Sequence, residues 1–174
     1  MPAFPPTGKI GVKICGLTRP DQSHEVITAG ADALGFNFWP KSKRYLPLDQ
    51  ALGWLPGLPR DAAFVAVLVN PEAGLLEDLI HCGQFDTLQL HGDETPATVS
   101  SLMARGAHVI KALQIRDESS LDSIGDYPCA DILLDAYNPG LYGGAGEPFP
   151  WHLFELARLR FPEKTLIQIG RAHV

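Results

Sequence analysis

The chain has 174 residues, 45% of them hydrophobic and 20% charged, with a net charge of −6, which suits one domain with a substantial core rather than two. That acidic balance excludes a general basic field for nucleic acid, and no apolar run is long enough to span a membrane. The opening MPAFPPTGK lacks the charged start and apolar stretch of a signal peptide, so a cytoplasmic protein is expected.

In chain order, residues 1–10 read as a Pro-rich tail. Apolar, β-prone runs then alternate with helical patterns. Strands are expected at Val12–Cys15, Ala33–Phe38, Phe64–Leu68, Thr87–Leu90, Val109–Ala112, Ile132–Asp135 and Leu166–Ile169. Helices are expected between them at Pro20–Ala29, Leu48–Leu55, Pro71–Cys82, Pro96–Arg105 and Trp151–Phe161, with a short one near Ser119–Ile124. Thr18, Asn70 and Thr95 precede first-turn prolines and are expected to cap helices. Gly30, Gly83 and Gly106 follow helix ends, where a left-handed residue is needed.

Strict β-α alternation implies a parallel sheet, either open and doubly wound or closed as a (β/α)8 barrel. No G-x-G-x-x-G follows the first strand, which lowers a dinucleotide-binding fold. Polar residues stand at strand ends instead, at Cys15, Asn37, Asn70, His91 and Asp135. Active groups gathered from the C-terminal ends of many strands are the mark of the barrel, which is the architecture expected here. Seven strands are found where a barrel has eight. The expected layout is therefore a tail over 1–10, an incomplete α/β barrel domain over 11–169, and a C-terminal stretch over 170–174.

The cysteines Cys15, Cys82 and Cys129 are odd in number and lack C-x-x-C spacing, so neither a disulfide frame nor a zinc site is suggested. Strand alternation puts Lys13 and Cys15 on one face, with Val12 and Ile14 on the other, where a barrel would pack them against helices. Cys15 would lie at the barrel mouth, where a nearby cation and helix N-termini favour the thiolate. A small core cysteine is the competing reading. Asp135 ends the run Ile-Leu-Leu-Asp, where burial would keep a proton on it. A cap on the following turn, common after strands, is the competing reading.

Gly143, Gly144 and Gly146 form a glycine-rich loop that lets the backbone approach a ligand. An unspecific flexible loop is the alternative. Gln89 and His91 share a face of the fourth strand, although a histidine bonded to backbone would look the same. Arg44, in Lys41-Ser-Lys-Arg44-Tyr45, could hold a carboxylate in a bidentate pair or sit as a basic turn in solvent.

Taken together, VKICGLT, GADALGFNFWPKSKRYL, LQLHGDE, VIKAL, LLDA and GGAGEPFPW resemble the phosphoribosylanthranilate isomerase family in order and spacing over about residues 11–169. The resemblance implies a (β/α)8 barrel. It also implies an Amadori rearrangement of N-(5-phosphoribosyl)anthranilate to the carboxyphenylamino-deoxyribulose phosphate in tryptophan biosynthesis. By the matching motifs, Cys15 is implied as general base, Asp135 as general acid and Arg44 as holder of the anthranilate part. Gln89, His91 and the loop glycines are implied as further substrate contacts. No metal or organic cofactor is implied. The implied partner is a small phosphorylated substrate, with neither nucleic acid nor membrane, and either a monomer or a homodimer is compatible.

Two departures from the family pattern carry expectations. Glu147 stands where the family usually has Lys or Gln, which turns the loop's charge negative. Gly170 alone matches the family's phosphate-binding loops, so weak substrate binding is expected of this sequence, together with unpaired edges on the first and seventh strands. A non-catalytic fragment that binds ligand or a completing segment is the alternative. Indole-glycerol-phosphate synthase, a neighbouring barrel enzyme, is disfavoured by the cysteine of Lys13-Ile-Cys15-Gly.

Overall fold

A computed structural model describes residues 4–6, 8, 10–137 and 149–169. The strands and helices alternate as the sequence predicts. In order they are β1 (Lys13–Cys15), α1 (Pro20–Thr28), β2 (Ala33–Asn37), α2 (Leu48–Leu52), β3 (Ala63–Leu68), α3 (Ala73–His81) and β4 (Thr87–Leu90). Then come α4 (Pro96–Ala104), β5 (Val109–Ile115), a 3-10 helix at Glu118–Asp126, β6 (Asp131–Ala136), α5 (Trp151–Arg160) and β7 (Thr165–Gln168). The chain divides into two compact units, Met1–Gln89 and Leu90–Val174.

In the first unit β1 pairs with β2 and β2 with β3, both parallel, so that Cys15 stands beside Gly35 and Asn37 beside Val67. Every residue of β3 is buried, which fits a strand of Ala, Phe, Val and Leu covered on both faces. Aromatic side chains fill the space around it. Phe36 meets Phe64 edge-to-face at 5.6 Å and Trp54 at 5.9 Å, and Phe38 meets Phe85 at 5.2 Å. These geometries are favoured by the ring quadrupoles.

In the second unit β5 pairs with β6 and β6 with β7, again in parallel, aligning Gln114 with Asp135 and Lys111 with Ile132. Ile110, Ile115, Ile132 and Leu134 are fully buried. Buried too are Leu121 and Ile124 of the 3-10 helix that packs on β5, and Leu153 and Ala157 of α5, which packs on that 3-10 helix.

The glycines expected to stop α1, α3 and α4 all have positive φ. Of the three expected caps, only Thr95 acts as one, accepting from the Thr98 amide at 3.2 Å. Arg19 and Glu72 occupy the other two cap positions without a side-chain capping bond, because α1 and α3 begin later than Thr18 and Asn70 would require. The expected helix at 48–55 is interrupted at Gly53 and resumes as a short 3-10 turn over Leu55–Gly57. The Glu118–Asp126 segment is 3-10 rather than α-helical. Its Ser and Asp side chains bond back to nearby backbone, as Ser123 does to the Ser120 carbonyl, and so compete with regular helix formation.

One packing expectation fails. Val12 and Ile14 are 50% and 40% exposed rather than packed under helices. β1 lies at the end of its unit's row of strands, and α1 packs against β2 instead. β7, at the end of the second unit's row, is likewise only partly covered.

Candidate functional site

The first unit assembles its candidate groups around two glycines. Lys13 and Cys15 project to the same side of β1, next to Gly35 of β2. A Cβ at Gly35 would fall 2.7 Å from the Cys15 sulfur, 2.9 Å from Lys13 Nζ and 3.2 Å from the Cys15 Cα. No side chain fits there, so the bare backbone of β2 is what lets an ammonium and a thiol share one spot.

Gly16, with φ of +87°, plays the same part for Arg44. A Cβ on Gly16 would lie 2.4 Å from Arg44 Cδ. The guanidinium lies across that glycine and donates from Nη1 to the Cys15 carbonyl at 2.9 Å. Arg44 is exposed, and its second edge is thus available in the neighbourhood of the thiol.

The loop that carries Arg44 is organised by Asn37. Its Nδ2 donates to Ser42 Oγ at 3.1 Å, its Oδ1 accepts from the Trp39 amide at 2.9 Å, and its carbonyl accepts from the Leu46 amide at 2.8 Å. The polar residue at the end of β2 is therefore a loop organiser. Gln89 is buried in β4.

The second unit holds the other candidates. Asp135, near the C-terminal end of β6, is 7% exposed, and its Oδ2 lies 3.2 Å from Nε2 of the buried His91. Behind them is a buried ion pair that the sequence reading missed. Lys111 Nζ donates to Glu94 Oε2 at 2.8 Å, to the Gly92 carbonyl at 2.6 Å and to the Leu90 carbonyl at 3.4 Å. The Gly92 amide in turn donates to the Glu94 carboxylate at 3.0 Å, and the Tyr127 hydroxyl donates to the Glu94 carbonyl at 3.0 Å. The signal was present in Val109-Ile-Lys111-Ala-Leu113. A lysine inside an apolar strand has to find an anionic partner nearby.

Lys13, Gly16 and Gly35 were visible as motif letters, yet their role as neighbours of the thiol and of Arg44 comes only from the register of β1 on β2. Gly143, Gly144, Gly146, Glu147 and Gly170 lie outside the described residues. Among the described residues no group of three or more His, Cys, Asp or Glu side chains could hold a metal ion, and no helix is long and apolar enough to cross a membrane.

Residues 12–166 match the family model for N-(5'phosphoribosyl)anthranilate (PRA) isomerase. A relative from Geobacter metallireducens with that name is 43% identical over 150 residues, covering 86% of this chain and 72% of the relative. The crystal structure of the phosphoribosyl anthranilate isomerase of Thermotoga maritima superposes with a TM-score of 0.79 at 32% identity, over 94% of this chain and 78% of that one. A second solved isomerase, in complex with reduced 1-(o-carboxyphenylamino)-1-deoxyribulose 5-phosphate, gives a TM-score of 0.75 at 31% identity, over 92% of this chain and 75% of that one. The fold is thus of the (β/α)8 barrel type, with seven strands among the described residues. A match that runs through both units and takes in the cysteine of β1, the histidine after β4 and the aspartate of β6 leaves one conclusion: the chain belongs to the phosphoribosylanthranilate isomerase family.

Proposed function

We infer that this chain carries out the reaction of its family, the rearrangement of N-(5-phosphoribosyl)anthranilate to 1-(2-carboxyphenylamino)-1-deoxyribulose 5-phosphate in tryptophan biosynthesis, with Asp135 as acid and Cys15 as base. The carboxyl of Asp135 delivers a proton to the ribose ring oxygen. The ring carbon–oxygen bond breaks, and the nitrogen lone pair forms an iminium at the former anomeric carbon. That cation acidifies the adjacent carbon–hydrogen bond, and the Cys15 thiolate takes the proton. The resulting enolamine shifts its proton to give the ketone, with no net redox change. Two groups of opposite protonation state are what such a sequence needs.

The observation that carries this reading is a buried carboxyl held against an imidazole at the end of β6, in a chain whose sequence and fold are those of the family. Arg44, lying over Gly16 beside the Cys15 carbonyl, is suited to the anthranilate carboxylate. Gln89, His91 and the glycines 143, 144 and 146 are assigned to the substrate, and Gly170 to its phosphate. We place the barrel domain at residues 11–169 and its work in the cytoplasm, on a small phosphorylated molecule that needs no membrane or nucleic acid for its recognition.

The test is turnover of N-(5-phosphoribosyl)anthranilate by the purified chain, alongside binding of the reduced product analogue. Cys15→Ala and Asp135→Asn are each expected to lower kcat by about 10²–10⁴-fold while the analogue still binds. Variants that turn over like the parent chain would remove both residues from the mechanism. A parent chain that neither reacts nor binds the analogue would overturn the reading itself.

A further inference from the structure

The ion pair of Lys111 and Glu94 lies among the most buried charges of the second unit, at 1% and 4% side-chain exposure, and the acid–base steps do not use it. It is also better bonded than charge balance requires. Glu94 receives the Lys111 ammonium and the Gly92 amide, and its carbonyl receives the Tyr127 hydroxyl. Lys111 spends a second bond on the Gly92 carbonyl. Gly92 is therefore gripped at both its amide and its carbonyl, and it is the residue directly after His91.

The pleat of β5 tells which side the grip comes from. Asp135 is aligned with Gln114, and paired residues of parallel strands project to the same face. Lys111 is an odd number of residues from Gln114 and so projects to the opposite face. The ammonium reaches the turn from behind and does not meet the carboxyl of Asp135. Its influence on the acid can pass only through the backbone that carries the imidazole.

We propose that the Lys111–Glu94 pair is a positioning device: it fixes the turn Leu90–Glu94 on β5, and so holds His91 Nε2 at bonding distance from Asp135. The inference rests on the reading of Asp135 as the acid. Buried ion pairs contribute little net stability compared with apolar replacements of similar shape. A pair kept in place here is better explained by the geometry it enforces. His-Gly-Asp-Glu has no apolar side chain of its own with which to anchor the turn. Gly92, between the end of β4 and the start of α4, has the widest backbone freedom of any residue type. The clamp removes that freedom at the one place where it would let the imidazole drift.

The decisive variant is Lys111→Met with Glu94→Leu, which removes both charges together and leaves no unpaired ion behind. The first readout is the nitrogen resonance of His91 Nε2 in the folded chain. It is expected to move and broaden in the double variant and to stay unchanged in Glu155→Gln, an exposed control on α5. The second is kinetic: kcat is expected to fall about 10–100-fold, as displacement of a supporting group by about 1 Å does, with KM changed by less than about 3-fold. Lys111→Arg, which keeps a cation at the clamp, is expected to recover part of that loss.

If the double variant does not fold, Tyr127→Phe decides, because it deletes a single hydroxyl that donates to the same turn. It is expected to shift the His91 resonance in the same direction by a smaller amount. An unmoved His91 resonance in a folded variant overturns the inference, as does full turnover in the double variant while Asp135→Asn is inactive. Full turnover by Asp135→Asn would instead defeat the acid assignment, a separate failure.

Discussion

The two units hold their polar groups by opposite means. In the first, Cys15, Lys13 and Arg44 are positioned by space, since two glycines leave room and few hydrogen bonds fix the side chains that fill it. In the second, His91 and Asp135 are positioned by bonds, in a buried network that runs from Lys111 through Glu94 and Gly92 to the turn behind the imidazole. Burial follows the same division. The thiol is partly exposed on a strand at the end of its row, whereas the carboxyl lies on a strand with every residue but the last buried. A nucleophile or base that must meet substrate tolerates water around it. For the carboxyl proposed as acid, a dry, fixed setting is an advantage, because a polar group buried there depends on its protein partner.

The comparison breaks most sharply where the second unit loses one charge only. Lys111→Met leaves Glu94 buried without its cation, and a stability loss of about 3–5 kcal/mol is expected in urea unfolding. A loss under about 1 kcal/mol would show that the network is slack.

Gly35→Ala probes the first unit in the same spirit. Its methyl meets the Cys15 sulfur and the Cys15 Cα, so thiol and strand both have to move. An overpacking cost of about 1–3 kcal/mol is expected. The loss of turnover should be larger than that stability change alone explains. Equal activity in the folded variant would show that the thiol's position is not set by that glycine.

Gly16→Ala is the milder version. Its φ of +87° costs an L-residue about 1–2 kcal/mol, and its methyl displaces Arg44, whose flexible side chain can swing away. A rise in KM with kcat little changed is the expected pattern, and the reverse split would take Arg44 out of substrate binding.

The smallest effect sharpens the contrast in burial. Burial pushes the Cys129 thiol above its usual 9.0, and burial together with the Glu94 charge pushes the Tyr127 phenol above 10.0. Well below pH 9.0 both groups stay protonated whether the chain is folded or not, and they leave stability unchanged. As pH rises through 9.0 and then 10.0, the unfolded chain releases protons that the folded chain retains, so stability falls. A fall in stability is expected between about pH 8 and pH 10. It should be smaller in Cys129→Ala, and a flat profile would show that the second unit admits water at these groups.

The residues most easily read from sequence were those set by one-dimensional rules. Strand and helix positions followed from periodicity, and Thr95-Pro96 announced its own cap. Val12 and Ile14 were misjudged because alternation gives the face of a side chain but not what covers that face. Thr18 and Asn70 failed as caps because the local signal cannot place a helix start to the residue. Arg44 was legible as a cation near the end of β2, whereas its place across Gly16 depended on a loop folded around Asn37.

Alone, the sequence determined the order of elements and the family, because these depend on local pattern and on which residue types are present. Only the tertiary structure decided that Gly35 is the floor beneath Cys15 and Lys13, and that Lys111 grips the turn after His91. Those relations arise from strand register and from which face of the pleat a residue occupies. Pairing between strands joins residues far apart in the chain, and no periodicity within one strand records its neighbour's alignment.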